Sequence, residues 1–330
     1  MYLSSAILAL IFFSIIVLAM GYDPLTAFQT LAMASLGGYG RIAETFIKTI
    51  PLLICGLAVT IAFKANFWNI GVEGQLYWGA IAFTGIGLYM TNLPPALQFL
   101  LAFLLAFLAG GFWAFIPGAL KAYLEVNEII TTIMLNYIAF LFVDYLVSGP
   151  WKDPMAFEPL TRKVSEAIWL PTISSYFCVH YGLVIAIICV IATYIILNKS
   201  SLGYEIRVVG SNVRAARIGG IKVAKIVVLT SFLSGGLGGI CGACEIAGIH
   251  HRLLRGISPG YGFLGIIIAL LAKNHPIWNI PAAFFFAILV VGTDALQRTI
   301  AMPAAAVYAI QALVALSVLV PECLLRRWKV

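Results

Sequence analysis

Charged side chains are scarce in this sequence: Asp, Glu, Lys and Arg make up 10% of its 330 residues, whereas hydrophobic residues make up 62%. A soluble domain usually carries about 25% charged residues. The mean hydropathy is +1.03. A soluble fold of this length cannot hide so much apolar surface, so we predict an all-α polytopic membrane protein for which lipid is the main solvent.

Acidic residues are fewer than basic ones, 13 against 20, which gives a net charge of +7. The basic residues are dispersed and lack the interleaved aromatic side chains of a nucleic-acid surface. We interpret their excess as basic cytoplasmic loops, and nucleic acid is not an expected partner.

Patterns typical of catalytic or metal sites are also missing. Cys241-Gly-Ala-Cys244 has a redox spacing, but it lies in a glycine-rich apolar segment without a βαβ pattern. No apolar run contains a paired His/Glu metal spacing or a Ser/Lys pair, so we expect neither an enzyme nor a bound metal. The glycines of 234–242 lack the lysine of a phosphate-binding loop, and they predict close helix packing instead.

Apolar runs long enough to span a membrane predict about ten transmembrane helices. A turn at 91–95 splits the uncharged run 74–120 into two spans, and 256–272 is the weakest candidate. The runs are 3–21, 49–63, two within 74–120, 129–147, 180–198, 226–244, 256–272, 276–293 and 299–320.

Charge bias orients these spans, which we assign to a single transmembrane domain over 1–330. The loop 199–225 holds six basic residues and one acid, so it is predicted to be cytoplasmic. The loop 148–179 has three of each sign and is predicted to be external. Ten spans then place both termini in the cytoplasm, although Arg41, Lys48 and two arginines at 252 and 255 fall near the outer side.

A polar cluster at 66–75 joins two apolar runs and contains Trp68, Asn69, Glu73 and Gln75. Its glycines allow the backbone to leave helical geometry, which is tolerated at membrane depth only where protein or water covers it. Either Asn69 caps the next helix, with Glu73 in its first turn, or the cluster lines a polar path. The two interpretations are compatible.

A polar stripe runs along the predicted span at 129–147. Glu128, Thr132 and Asn136 recur every four residues and therefore share one helix face. That face should point into the bundle, where it either hydrogen-bonds neighbouring helices or contacts a substrate.

The basic segment 207–221 predicts one short amphipathic helix. Ser211 or Asn212 can cap it, and Gly219-Gly220 can stop it. Small alanines between arginines would let another protein approach closely, although a basic loop that only obeys topology is the simpler interpretation. The residues of interest are Asn212, Arg214, Ala215, Ala216, Arg217 and Gly219.

Four motifs in order resemble one family, the permeases of ABC importers for ribose-type sugars, nucleosides and branched-chain amino acids. The segment 210–221 resembles their G-x-N-x-x-A-A-x-x-x-G-I coupling loop, and 67–75 resembles the F-N-I-G-x-E-G-Q signature of nucleoside and simple-sugar members. The segments 127–137 and 258–263 strengthen the nucleoside-type match. Lys273-Asn-His-Pro276 resembles an R-N-N-P turn with two positions changed.

The resemblance implies an inner-membrane subunit that forms a path for nucleosides or related purines, with ribose-type sugars as the alternative. It implies a second permease chain, identical or homologous, an extracytoplasmic binding protein, and a cytoplasmic ABC ATPase that holds ATP and Mg²⁺; this chain would bind no cofactor. Residues 212–219 would contact the ATPase. The expected path residues are Trp68, Asn69, Glu73, Gln75, Trp113, Thr132 and Asn136. An ion-coupled secondary transporter is the alternative of another class.

Overall fold

The structure is a computed structural model that describes residues 2–174 and 178–327. In these residues it contains thirteen α-helices, a 3₁₀ turn at Glu166–Ile168 and a π-helical turn at Ile246–His250. The α-helices are α1 (Tyr2–Ala19), α2 (Pro24–Leu36), α3 (Tyr39–Lys64), α4 (Val72–Tyr89), α5 (Pro95–Leu124), α6 (Glu128–Ser148), α7 (Gly182–Lys199), α8 (Ser201–Ser211), α9 (Val213–Ile218), α10 (Val223–Glu245), α11 (Tyr261–Leu271), α12 (Asn279–Thr299) and α13 (Ala304–Arg327).

Six helices of the described chain are long and apolar enough to cross a membrane, namely α3, α5, α6, α7, α10 with its π-helical turn, and α12. A seventh arises if α1 and α2, which meet at a bend of 117°, count as one span. The predicted count of ten is therefore not confirmed. The predicted span 256–272 contains the 11-residue helix α11, which is too short to cross.

The apolar run 3–21 does not predict the bend that separates α1 from α2. Asp23 ends the turn by accepting hydrogen bonds from the backbone N–H groups of Leu25 and Thr26, and Pro24 occupies the first helical position. The predicted span 49–63 likewise begins earlier than expected, since α3 starts at Tyr39.

Contacts between Cα atoms divide the chain into two compact units. Unit 1 comprises Met1–Thr49, Ser174–Val179 and Pro281–Val330, and unit 2 comprises Ile50–Ile173 and His180–Ile280. Within unit 1, α1 packs along α13. Within unit 2, α4, α5 and α10 form the core.

Glycines bring these three core helices into backbone contact, as the sequence predicted for 234–242. A Cβ on Gly79 of α4 would lie 2.3 Å from the Cα of Gly239 on α10. A Cβ on Gly239 would lie 2.0 Å from the carbonyl oxygen of Ala106 on α5. Small residues drive helix association in lipid because they permit this approach.

The helix α4 is buried among these neighbours although its first turn is polar. It has 18 residues, but it is not among the apolar span candidates, since its first turn carries Glu73 and Gln75. Thirteen of its residues are buried, so protein rather than lipid surrounds most of it. The polar side chains of its first turn, Glu73 and Gln75, are tolerated there because neighbouring segments of the protein hydrogen-bond to them.

Within unit 2, the segment 151–173 is tied to the segment that follows α10. Thr161 and Leu253 exchange two hydrogen bonds, at 2.9 Å and 3.0 Å. The backbone N–H of Leu170 also donates to the carbonyl of Ala247 at 2.9 Å. This part of the predicted external loop is consequently an ordered layer over the end of α10.

Candidate functional site

Two buried amide side chains form the centre of the polar cluster that the sequence singled out. The Asn69 amide donates to Gln75 Oε1 at 3.0 Å, and the Gln75 amide donates back to Asn69 Oδ1 at 2.9 Å. Asn69 also donates to Ser234 Oγ on α10 at 2.8 Å, and that hydroxyl donates to the carbonyl of Ala58 at 2.6 Å. The pair therefore connects α3, α4 and α10.

The prediction that Asn69 caps α4 is wrong. Asn69 Oδ1 accepts a hydrogen bond from the backbone N–H of Gly71 at 3.0 Å. Gly71 itself holds the N-cap position of α4 and makes no side-chain cap bond. Asn69 thus stabilises the loop that enters α4, while the carboxyl of Glu73 lies in the first helical turn, as expected.

Asn136 on α6 clamps the same loop from the other side. Its Oδ1 accepts from the backbone N–H of Gly74 at 2.8 Å, and its amide donates to the carbonyl of Ile70 at 3.0 Å. Thr132 is buried one turn earlier and donates to the carbonyl of Glu128 at 2.7 Å. The stripe faces the protein interior, and its amide is already engaged in packing.

Glu128 lies at the start of this stripe and is only partly buried. Its carboxylate pairs with Lys121 Nζ at the end of α5. Its Oε1 also accepts from the backbone N–H of Trp68, at 3.4 Å. An ion pair therefore joins the end of α5 to the start of α6, and a hydrogen bond attaches the loop before α4 to the same carboxylate.

The carboxyl group of Glu73 holds the beginning of α11. Glu73 is 1% exposed and accepts from the backbone N–H of Gly262 at 2.6 Å. The hydroxyl of Ser258 and the backbone of Gly260 also hydrogen-bond to it. The first N–H groups of a helix lack partners within the helix and carry partial positive charge, so a carboxylate stabilises them.

The two predicted aromatic path residues belong to different groups of rings. Trp68 is 44% exposed, and its ring lies 4.8 Å from that of Phe63. Trp113 on α5 packs against Trp78 on α4 at 4.6 Å, and Trp78 stacks on Phe142 at 5.0 Å. The structure therefore brings Asn69, Glu73, Gln75, Thr132 and Asn136 into one buried region and places Trp113 in a separate aromatic group.

The basic segment forms two helices instead of the one predicted. Helix α8 ends at Ser211, and α9 begins at Val213. Asn212 separates them because its side chain accepts from the backbone N–H groups of Arg214 and Ala215, at 2.9 Å and 3.1 Å. Gly219 caps the end of α9, and Gly220 follows in the left-handed region with φ 79°. The predicted cap and stop are both present.

The surface of α9 differs from the expected one at two positions, Ala216 and Ile218. Arg214, Ala215 and Arg217 are exposed, but Ala216 is 0% exposed and packs inside the chain. Ile218, which is not among the residues predicted to form this surface, is 88% exposed. The sequence did contain a signal for this exposed residue, because Ile218 directly precedes the two glycines that end α9.

Residues 41–319 match the family model described as branched-chain amino acid transport system / permease component. The chain is 37% identical to a glucose ABC transporter permease protein of Haloferax volcanii, over 92% of this chain and 82% of that protein. It is 34% identical to a guanosine ABC transporter permease protein of Bacillus subtilis, over 88% and 84%. A nucleoside ABC transporter permease protein of Lactococcus lactis is 31% identical, over 86% and 81%.

Bacillus subtilis also has a second guanosine ABC transporter permease protein that matches this chain. It is 26% identical, over 74% of this chain and 79% of that protein. Two permease proteins of one organism, both named for guanosine, are thus similar to this chain.

These matches define the chain as a permease subunit of an ABC transporter. The chain belongs to the branched-chain amino acid transport system / permease component family. The resemblance inferred from the four motifs is confirmed, and the ion-coupled secondary transporter is set aside.

Proposed function

We propose that this chain is the permease subunit of a nucleoside importer in a bacterial inner membrane, with both termini in the cytoplasm. The observation that carries the proposal is the similarity to guanosine and nucleoside permeases, at 34% and 31% identity over 88% and 86% of the chain. The motif 67–75 supports the same assignment.

A simple sugar is the second candidate substrate. The glucose permease of Haloferax volcanii is 37% identical over 92% of the chain, which exceeds both nucleoside relatives. Nucleosides and simple sugars share a hydroxylated ring, whereas only nucleosides carry a base that stacks on aromatic side chains. Such stacking contributes about 1–3 kcal/mol per base, and the half-exposed ring of Trp68 offers a surface for it.

The buried polar network has a supporting role in this proposal. Asn69, Gln75 and Asn136 direct their amide groups at protein atoms, and Glu73 binds the start of α11. We assign these residues, together with Thr132, to bracing the wall of the translocation path. Trp68 and Trp113 are the remaining candidates for contact with substrate.

The proposed partners follow from the exposed surfaces and from the paired relatives. Helix α9 would contact the ATPase, which would hold ATP and Mg²⁺, through Arg214, Ala215, Arg217 and Ile218. The ordered outer layer 151–173 would face the extracytoplasmic binding protein. A second, homologous permease chain is supported by the two guanosine permeases of Bacillus subtilis.

Uptake measurements test the substrate. Cells that express the complete transporter would be given radiolabelled guanosine or glucose, and cells lacking this chain would serve as the control. We expect guanosine uptake that depends on the chain and is inhibited by other unlabelled nucleosides. Uptake of glucose alone, or inhibition of guanosine uptake by unlabelled ribose but not by nucleosides, would move the assignment to sugars.

A further inference from the structure

A hairpin at 152–161 of unit 2 carries the two most exposed large apolar side chains in the described part of the chain. Phe157 is fully exposed, Met155 is 92% exposed, and the half-buried Ala156 separates them. A single apolar residue on a surface is common, but two that stand together on one turn form a patch. Such patches mark interaction sites.

Hydrogen bonds hold this hairpin in one conformation. The backbone N–H of Asp153 donates to the carbonyl of Leu160 at 2.9 Å, and Asp153 Oδ1 accepts from the backbone N–H of Met155 at 3.1 Å. The hydrogen bonds between Thr161 and Leu253 fasten the base of the hairpin to the segment after α10. The apolar pair is therefore presented on an ordered backbone, and a partner that binds it loses little conformational entropy.

A cavity of ≈ 360 Å³ lies beside the base of the hairpin. The charged residues in its wall, Lys152 and Arg162, are both basic. Among the described residues, neither of them forms an ion pair with an acid. The rings of Tyr89 and Trp151, with centroids 5.8 Å apart, complete the wall. This cavity suits an acidic side chain, because a carboxylate can accept hydrogen bonds from both cations while its aliphatic stem packs on the rings.

The position of the hairpin within unit 2 restricts which partner can reach it. The hairpin is tied to the segment that follows the end of α10, whereas α9 directly precedes the start of α10. A helix of 23 residues separates the two surfaces, and its length is about 35 Å. An ATPase that contacts α9 therefore lies at the opposite end of α10 from the hairpin.

We propose that this hairpin docks the extracytoplasmic binding protein. Met155 and Phe157 would enter an apolar depression on that protein, and one of its acidic side chains would enter the cavity between Lys152 and Arg162. The inference rests on the proposed function, which supplies the binding protein and the external position of the loop. A protruding apolar pair beside a basic cavity is complementary to a folded protein surface, whereas a lipid leaflet has no fixed depressions or fixed acidic groups.

Binding of the purified binding protein that is expressed with the transporter tests this surface. Its Kd for the complete transporter in nanodiscs would be measured by biolayer interferometry, without cargo. We expect Phe157→Ser and Met155→Ser each to raise the Kd about tenfold, since large apolar side chains of this kind anchor interfaces. Phe157→Leu, which keeps an apolar side chain, should retain most of the affinity. Assembly of each variant would be checked by size-exclusion chromatography.

The basic cavity is tested separately, and this test stands if a serine variant fails to assemble. Lys152→Gln and Arg162→Gln should each weaken binding severalfold and reduce the effect of added salt on the Kd. Lys163→Gln is the matched control, because Lys163 is a neighbouring exposed lysine whose ammonium group lies over the ring of Trp169 and outside the cavity. It should keep the salt dependence of the wild type.

A fluorophore attached to Phe157→Cys, in the chain in which Cys178 and Cys323 are replaced by Ser, identifies the occupant. We expect its emission to move to shorter wavelength when the binding protein is added. The same shift in nanodiscs of phosphatidylethanolamine and phosphatidylglycerol without the binding protein would assign the patch to lipid and overturn the proposal. Separation of the two permease chains in Phe157→Ser would assign it to their interface, with the same consequence.

Failure of this site can be told apart from failure of the proposed function, because docking is measured without cargo. Absence of binding to the wild-type transporter, or unchanged affinity in the assembled Phe157→Ser and Arg162→Gln variants, would overturn the docking site even where guanosine uptake by cells is normal. Uptake of glucose alone would overturn the nucleoside assignment, and the docking site would stand.

Discussion

The carboxyl group of Glu73 in the first turn of α4 accepts a 2.6 Å hydrogen bond from the backbone N–H of Gly262, 189 residues further along the chain. Gly262 belongs to the first turn of α11, a helix of 11 residues. A short helix that begins inside the protein needs an acceptor for its first N–H groups, because water does not reach them. Glu73 provides that acceptor.

Removing the carboxyl group should therefore damage the fold and not only transport. Glu73→Ala leaves the Gly262 N–H buried without its acceptor, which costs about 1–3 kcal/mol. Glu73→Gln keeps an acceptor oxygen and should be milder. We expect Glu73→Ala to lower both the yield and the melting temperature of the assembled complex, measured by size-exclusion chromatography after heating.

The opposite pattern would assign Glu73 to the substrate. If Glu73→Ala assembles and melts like the wild type but its transport rate falls, then the carboxyl group contacts cargo and the bracing role is wrong.

Backbone contact between α10 and α5 predicts a strong effect from a single methyl group. Gly239→Ala places a Cβ 2.0 Å from the carbonyl oxygen of Ala106, so the two helices must separate. Overpacking of this kind typically costs about 1–3 kcal/mol. Gly40→Ala is the matched control, because a Cβ at Gly40 has no atom within 4 Å.

The measurement is the thermal stability of both variants in detergent. Gly239→Ala should melt several degrees below the wild type, and Gly40→Ala should not. Equal melting temperatures would show that α5 and α10 pack less closely than described.

Because Ile218 is exposed on α9 and Ala216 is buried, Ile218→Asp is the substitution that best tests docking of the ATPase. Ile218, the last residue of α9, is 88% exposed, whereas Ala216 is 0% exposed. We expect Ile218→Asp to reduce co-purification of the ATPase with the membrane complex about tenfold, because an apolar contact is replaced by a charge. Arg214→Ala should do little, since exposed ion pairs contribute only about 0.2–1 kcal/mol.

Ala216→Trp separates docking from folding. A bulky ring at this buried position must disturb the packing of α9 itself, so we expect less folded permease and not a selective loss of the ATPase. Full ATPase retention by Ile218→Asp, with normal substrate-stimulated ATP hydrolysis, would place the contact elsewhere, with Lys273-Asn-His-Pro276 as the next candidate.

Features that depend on neighbouring residues could be predicted from the sequence. The side chain of Asn212 caps α9 and Gly219-Gly220 end it, because both effects act within one helical turn. The burial of Thr132 and Asn136 followed from their spacing on α6. The family could be inferred because each of its motifs is an uninterrupted stretch of sequence.

Features that depend on contacts between distant parts of the chain could not be predicted from the sequence. The partner of Glu73 is 189 residues away, and nothing local identifies it. The inward orientation of Ala216 depends on the packing of α9, which composition does not reveal. The charges on α3 and α12 come from opposite ends of the chain, and only folding places Glu44 near Arg298. Hydropathy also predicted a membrane span at 256–272, where the apolar residues belong to the short helix α11, which packs against protein.

Orientation in the membrane remains a prediction, and a native cysteine makes it testable. Cys178 is exposed and lies in the loop 148–179, which is predicted to be external. Cys55, Cys189, Cys241 and Cys244 are buried. With Cys323 replaced by Ser, a membrane-impermeant maleimide added to intact cells should label the chain at Cys178, and Cys178→Ser should abolish the labelling.

The cytoplasmic side is tested in the chain in which both Cys178 and Cys323 are replaced by Ser. Ile218→Cys places a thiol on α9, within the loop 199–225 that carries six basic residues and one acid. The positive-inside rule places this loop in the cytoplasm, so position 218 should react only after the cells are permeabilised. Because residue 218 is 88% exposed, absence of labelling in intact cells cannot be attributed to burial in this chain. Labelling of position 218 but not of Cys178 in intact cells would invert the topology, and it would remove α9 from contact with a cytoplasmic ATPase.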